Sequence, residues 1–362
     1  MNPDIEFARE KDARDPLARF RNEFVIDDPN IIYLDGNSLG RLPKRTVGLL
    51  KKVVEQEWGE SLIRGWNKGW IDLPTKLGVK IAQLVGAQPD EVLVTDATSV
   101  NLFKLVVAAL RAKPGRSKIV SDVFNFPSDL YIIQGIIELL GSQQRLELIP
   151  SSDGITIDPD SVMSAIDGNT ALVSLTHVAF KSAFMYDMTR VTDQAHKAGA
   201  LILWDLSHSV GAVPLDLNGC GADLAVGCTY KYLNGGPGSP AFLYVRRDLQ
   251  TRLLQPMWGW FAAGKPFDFD LKFIPTTSIS RFRVGTVPII SMKAIEPAVD
   301  VLLEAGLEKL RKKSVEQTSY LISLADQWLA PLGFVLGSPR QPDLRGSHVS
   351  LKHPEAYRIT CA

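Results

Sequence analysis

Short apolar runs rich in β-branched residues recur along the chain: Glu91–Thr95 (EVLVT), Lys118–Ser121 (KIVS), Ala171–Thr176 (ALVSLT), Ala200–Trp204 (ALILW), Ala222–Val226 (ADLAV) and Ala241–Val245 (AFLYV). None alternates cleanly with polar residues, so each predicts a strand covered on both faces. Between most of them lie stretches of roughly 10 to 15 residues with helical periodicity. Ser99–Leu110 and Thr189–Lys197 are two such stretches, the second followed by Gly199, a helix-ending residue. Helices alternating with apolar strands predict a mostly parallel, doubly wound α/β sheet. From Ser291 to Gly333 the pattern becomes one long helical run, with Pro297 as the expected kink and Gly306 in its middle. After it, GFVLGSP and GSHVSLKH predict two strands of a small α+β unit, a thin cover for a sheet face.

Composition narrows the picture. The 362 residues are 45% hydrophobic and 22% charged, as in an ordinary globular protein, and the length suggests two domains. Forty basic residues balance forty acidic ones, which gives no pull toward nucleic acid or an anionic membrane surface. The three cysteines have no paired spacing and the five histidines form no metal-ligand pattern, so a reducing, cytoplasmic setting and no metal are expected. The charged N-terminus lacks the apolar core of a signal peptide, and no window approaches the ~18 apolar residues of a spanning helix.

Three features fall at the carboxyl ends of predicted strands, where open α/β sheets place their ligand crevice. In Thr95–Asn101 (TDATSVN) a strand runs into a helix start with Asp96, Thr98 and Ser99; this is either ordinary capping or an anion site on free backbone N–H groups. In LILWDLSHSVG the strand delivers Asp205 and then His208. That aspartate either caps a loop or keeps a heterocyclic nitrogen protonated. In AVGCTYKYLNGGPGSP, Lys231 stands between Tyr230 and Tyr232 and precedes three glycines and two prolines in six residues. A rigidly held lysine can form a Schiff base with an aldehyde. An anion-binding helix start, an aspartate and a lysine match the phosphate, the ring nitrogen and the aldehyde of pyridoxal phosphate.

The run WDLSHSVGAVPLDLNGCGADLAVGCTYKYLNGGPGSPAFLYV resembles the kynureninases. So do YLDGNSLGRLP, LIRGWNKGWIDLP, FNFPSDLYI, SLTHVAFKSAFMYDM, RFRVGTVPI and RGSHVSLKHPEAY, which together cover nearly the whole chain. The resemblance implies a fold type I pyridoxal-phosphate enzyme: a seven-stranded, mostly parallel sheet in a large domain over residues 46–290, and a small domain from residues 1–45 and 291–362. It implies hydrolytic Cβ–Cγ cleavage of kynurenine or 3-hydroxykynurenine in cytoplasmic tryptophan degradation, feeding NAD biosynthesis. Lys231 would carry the cofactor covalently, Asp205 would pair with its ring nitrogen, and Thr98 and Ser99 would hold the phosphate with help from Tyr230. Phe126 would stack on the ring, with Asp129 and His208 beside it. Tyr230 would also relay protons. Trp260 and Thr286 would reach the phosphate from the other subunit of a homodimer. Trp66 is either a wall for the aryl group or a core aromatic near the subunit seam.

The chain also departs from the family pattern. The resemblance implies several dozen further residues, including an arginine that clamps the substrate carboxylate, whereas this sequence stops at Ala362. GTVPI has one proline where two are usual, and FAAGKP replaces a common glycine-histidine pair. The alternatives are therefore a truncated, impaired kynureninase-like chain or another β-lyase with the same cofactor. A desulfurase is disfavoured, because no cysteine falls in a suitable loop.

Overall fold

The computed structural model describes residues 4–361. Seven strands form one sheet in the order β1-β7-β6-β5-β4-β2-β3. They are β1 (Val92–Val94), β2 (Lys118–Asp122), β3 (Arg145–Ile149), β4 (Thr170–Thr176), β5 (Leu201–Asp205), β6 (Leu224–Gly227) and β7 (Phe242–Val245). Only β7 runs against its neighbours, pairing antiparallel with both β1 and β6. The carboxyl ends of the other six strands therefore share one edge.

Continuous apolar runs form these strands because both faces are covered. Val92 and Val94 face one core while Leu93 faces the other, and Ile202 and Trp204 divide from Leu201 and Leu203 in the same way. In chain order the helices are α1 (Ile5–Ala13), α2 (Lys44–Lys52), α3 (Leu73–Val85), α4 (Thr98–Ala112), α5 (Pro127–Leu139), α6 (Pro159–Ala165), α7 (Met188–Lys197), α8 (Arg247–Gln250), α9 (Ile289–Ala305), α10 (Leu307–Leu324) and α11 (Ala356–Cys361). Leu77 and Ile81 of α3, Val191 and Ala195 of α7, and Ile295 and Val299 of α9 fill the first core. Leu102 and Leu105 of α4 with Ile133 and Ile136 of α5 fill the second. Trp204 is fully buried; truncating so large a side chain costs about 3 to 5 kcal/mol.

Two expectations are corrected. Arg145–Ile149 (RLELI) was not among the apolar runs, yet it is the edge strand β3. It bonds only to β2 and leaves one side open, so polar residues are tolerated there. The long run after Ser291 is two helices. The chain breaks at Gly306, which takes φ 82° and ψ 125°, while α9 continues through Pro297. The predicted pair near the end is present as β8 (Val335–Leu336) and β9 (Leu351–Lys352), antiparallel and two residues long.

Candidate active site

The strand edge gathers the chemistry. β6 ends at Gly227, and the chain turns through Cys228 and Tyr230 to Lys231. The turn is held from within: Thr229 Oγ1 lies 2.6 Å from Ser239 Oγ and donates to the Pro240 carbonyl at 2.7 Å, and the Gly235 N–H donates to the Thr229 carbonyl at 2.8 Å. Asn234 N–H donates to the Lys231 carbonyl at 2.9 Å, with Asn234 in the left-handed region at φ 55°. The glycines serve close approach as well as turning. Gly40 N–H donates to the Tyr230 carbonyl at 2.8 Å, and a Cβ on Gly40 would run into the Lys231 carbonyl and lie 2.8 Å from Asn234 Cα. The DGNSLG stretch thus packs directly on the backbone of the lysine turn.

Lys231 Nζ lies 2.7 Å from His208 Nε2 and 5.6 Å from the centre of the Phe126 ring. Phe126 is the residue before α5 and is 41% exposed, so its face is open to a flat partner. Its ring meets Phe180 edge-on at 5.1 Å.

Two buried carboxylates complete the floor. Asp205 ends β5 and is 4% exposed, and its Oδ1 accepts from the Ser207 N–H at 2.9 Å and the Ser207 hydroxyl at 2.6 Å. Burial raises its pKa, opposed by the Ser207 bonds and the charge of Lys231. Asp129, in the first turn of α5, is 3% exposed, and no protein group among the described residues bonds its Oδ2. Burial and then the Asp205 charge hold its pKa well above the usual carboxylate range, with Lys231 acting the other way. Two buried carboxylates, one of them raised by the charge of the other, beside a single lysine suit the addition of a second cation.

At the end of β1, α4 begins at Thr98. The sequence offers Asp96, Thr98 and Ser99 as capping residues. The N-cap is instead Ala97, and no side chain among the described residues caps the helix, which leaves its first N–H groups free at the strand edge. Ser99 Oγ lies 3.0 Å from Ser128 Oγ, which brings the starts of α4 and α5 together. Asp96 is used elsewhere: its Oδ2 accepts from the fully buried Lys104 Nζ at 2.7 Å.

These observations fit pyridoxal phosphate. An uncapped 15-residue helix offers N–H groups and a positive end to a phosphate. The buried carboxylates suit a protonated ring nitrogen, the open face of Phe126 suits a ring, and Lys231 suits an aldehyde.

Of the residues singled out from sequence, Asp129, Asp205, His208, Tyr230 and Lys231 come together through contacts or mutual charge effects. Phe126 joins them through its ring. Thr98 and Ser99 stand on the same strand edge. Trp260 and Thr286 do not join this group within one chain; both are exposed in the segment before α9, Trp260 at the start of a short 3-10 turn. Trp66 packs edge-on against Trp70 and tilted, at 41°, against Phe261, each at 5.7 Å, inside an aromatic cluster. Burial, then the charges of Cys228 and Asp205, push the Tyr230 hydroxyl up to about 12. Ser207, Phe180 and His348 belong to the site and were not singled out. All three lie inside the kynureninase-like motifs, but nothing in one sequence marks their contacts.

The Aminotransferase class-V family matches residues 32–343, and the chain belongs to that family. Kynureninase from Pseudomonas fluorescens is 45% identical over 353 residues, covering 96% of this chain and 83% of the relative. Kynureninase from Burkholderia mallei (strain SAVP1) matches at the same identity and coverage. Within its class, the chain is a member of the kynureninases. Solved structures share the fold. The apo cysteine desulfurase from Thermococcus onnurineus NA1 has a TM-score of 0.77 at 21% identity, covering 94% of this chain and 83% of that one. A C-DES mutant with glycine covalently linked to its PLP cofactor has a TM-score of 0.78 at 17% identity, covering 95% of this chain and 88% of that one.

Proposed function

We propose that this chain hydrolyses the Cβ–Cγ bond of L-kynurenine or 3-hydroxy-L-kynurenine: hydroxyl goes to the acyl carbon, hydrogen to Cβ, and anthranilate or 3-hydroxyanthranilate leaves with L-alanine. Pyridoxal phosphate, when bound, supplies a cationic ring that draws off electrons from bonds broken next to the substrate amine. The protein's own groups do the rest. Lys231 would hold the cofactor aldehyde and would act as the base that takes the substrate Cα proton. His208 Nε2, 2.7 Å away, accepts from the lysine ammonium and holds it in place. Asp205, steadied by Ser207, keeps the ring nitrogen charged. Thr98, Ser99 and the N–H groups of α4 hold the phosphate, with the Tyr230 hydroxyl, while Phe126 covers the ring and Asp129 flanks it.

Tyr230 also returns a proton to Cβ. With its pKa pushed up to about 12, it is protonated at neutral pH and able to donate. Trp66 serves as a wall for the aryl group. Cys228 is no rival nucleophile: burial raises its thiol pKa, which keeps it in the unreactive form.

The reading includes a homodimer in which Trp260 and Thr286 reach the phosphate of the partner. It is supported by their exposure and by the exposed apolar side chains of Ile32, Leu34, Trp258 and Leu271. It also includes a large domain over residues 46–290 with a small domain from the rest, and a cytoplasmic place in tryptophan degradation leading toward NAD.

One observation carries the proposal: a lysine beside a histidine and two buried carboxylates, in a chain 45% identical to kynureninases along 96% of its length. The test is to load the protein with pyridoxal phosphate, add L-kynurenine and follow anthranilate fluorescence. Steady release supports the reading, and no release from loaded, folded protein overturns it.

A further inference from the structure

Two imidazoles meet beside Lys231, and their bonds fix which nitrogen of each carries the hydrogen. A lysine ammonium only donates, so His208 Nε2, 2.7 Å from Lys231 Nζ, is a lone-pair nitrogen and Nδ1 holds the hydrogen. A carbonyl only accepts, so His348 Nε2, 3.1 Å from the Phe180 oxygen, carries hydrogen and its Nδ1 holds the lone pair. The ring centres are 5.7 Å apart. Both Nδ1 atoms are buried, and no protein group among the described residues bonds either. Neighbouring rings thus retain one donor and one acceptor, the two partners that a single bridging water needs. Both rings are held neutral: burial, then the charge of Lys231, pushes His208 down to about 3, and burial is also the main cause lowering His348.

The mount of His348 is rigid. The fully buried guanidinium of Arg345 donates to the carbonyls of Pro339 at 2.8 Å and Arg340 at 2.7 Å, and to the Thr318 hydroxyl at 3.0 Å. Arg311 donates to the carbonyls of Gly346 at 3.0 Å and Pro342 at 2.7 Å. Ser347 Oγ donates to the Ala212 carbonyl at 2.9 Å. Two arginines and a serine therefore fix the segment that carries the ring.

We propose that His348 is a positioning residue: through one bridging water it accepts from the Nδ1–H of His208 and locks His208 in the tautomer whose Nε2 lone pair receives Lys231. The opposite tautomer would set an N–H against the ammonium and push the amine away. The inference rests on the reading of Lys231 as the base of the site.

The first arm of the test uses the protein without cofactor. The chain has five histidines, so nitrogen-15 labelling of histidine resolves each ring by NMR. The expected result is an Nδ1–H His208 in the wild type, a tautomer mixture in His348→Phe, and recovery in His348→Gln, whose amide can donate to Phe180 and accept from the water. The second arm measures turnover of L-kynurenine by the loaded enzyme. kcat should fall about tenfold in His348→Phe with KM within about twofold, and recover in His348→Gln. An unchanged His208 signal in His348→Phe, or an equal loss of kcat in both variants, overturns the proposal. If the wild type releases no anthranilate, the functional reading fails, while the NMR arm still decides the tautomer lock.

Discussion

Replacing His177 with glutamine should remove a defined part of the protein's acid sensitivity. His177 follows β4, its N–H donates to the Asp205 carbonyl at 2.9 Å, and its ring stands edge-on to Trp204 at 6.1 Å. The ring is buried with no protein partner on Nδ1 among the described residues, and burial pushes its pKa from 6.5 down to about 4. The folded protein therefore binds fewer protons here than the unfolded chain between those two values. Its share of stability is complete above pH 6.5 and is lost as pH falls toward 4. A gap of about 2.5 units corresponds to about 3.4 kcal/mol in the acid limit, and about 2 kcal/mol at pH 5. Other buried groups titrate in the same window, so the informative quantity is the difference between wild type and His177→Gln. Urea unfolding of both proteins from pH 7.5 to 4.5 measures it. The wild type should lose about 2 kcal/mol relative to the variant by pH 5, whatever constant offset the substitution adds. Curves that stay parallel within about 0.5 kcal/mol across that range would refute the burial argument.

Lys104→Met should cost about 2 to 4 kcal/mol in urea unfolding, because it strips the cationic partner from Asp96, leaving it only the Thr95 hydroxyl, and removes the donor to the Phe282 carbonyl, 2.8 Å from Lys104 Nζ. Adding Asp96→Asn should recover more than half of that loss; no recovery would mean that the ion pair is not what Lys104 supplies. Gly40→Ala should lower stability by about 1 to 3 kcal/mol and weaken cofactor binding, since the added Cβ meets the backbone of the lysine turn. Thermal unfolding and titration of the visible absorbance of bound pyridoxal phosphate check it, and a variant indistinguishable from wild type in both would contradict the close approach.

Six of the seven strands were legible because alternate residues of each feed two different cores, which leaves an unbroken apolar run in the sequence. β3 was not, because an edge position lets Arg145 and Glu147 remain solvated. Periodicity merged α9 and α10 because apolar spacing continues across Gly306; a backbone turn at φ 82° leaves no trace in that spacing. In the site, Asp205 and Lys231 stood out because each follows an apolar strand. Phe180 and His348 did not, since each acts through a contact made only after distant segments fold together; Ser207 bonds Asp205 only two residues away, but a serine beside an aspartate is too common to mark a site. Thr98 and Ser99 marked a helix start, but only the structure shows that neither caps it.

The central claim is that Lys231, among the lysines of this chain, carries pyridoxal phosphate. Borohydride reduction of the loaded protein, followed by proteolysis and mass mapping, tests it directly. The account predicts the pyridoxyl label on the peptide holding Tyr230, Lys231 and Tyr232, and its loss in Lys231→Ala. A label on another lysine, or one that persists in Lys231→Ala, would contradict it.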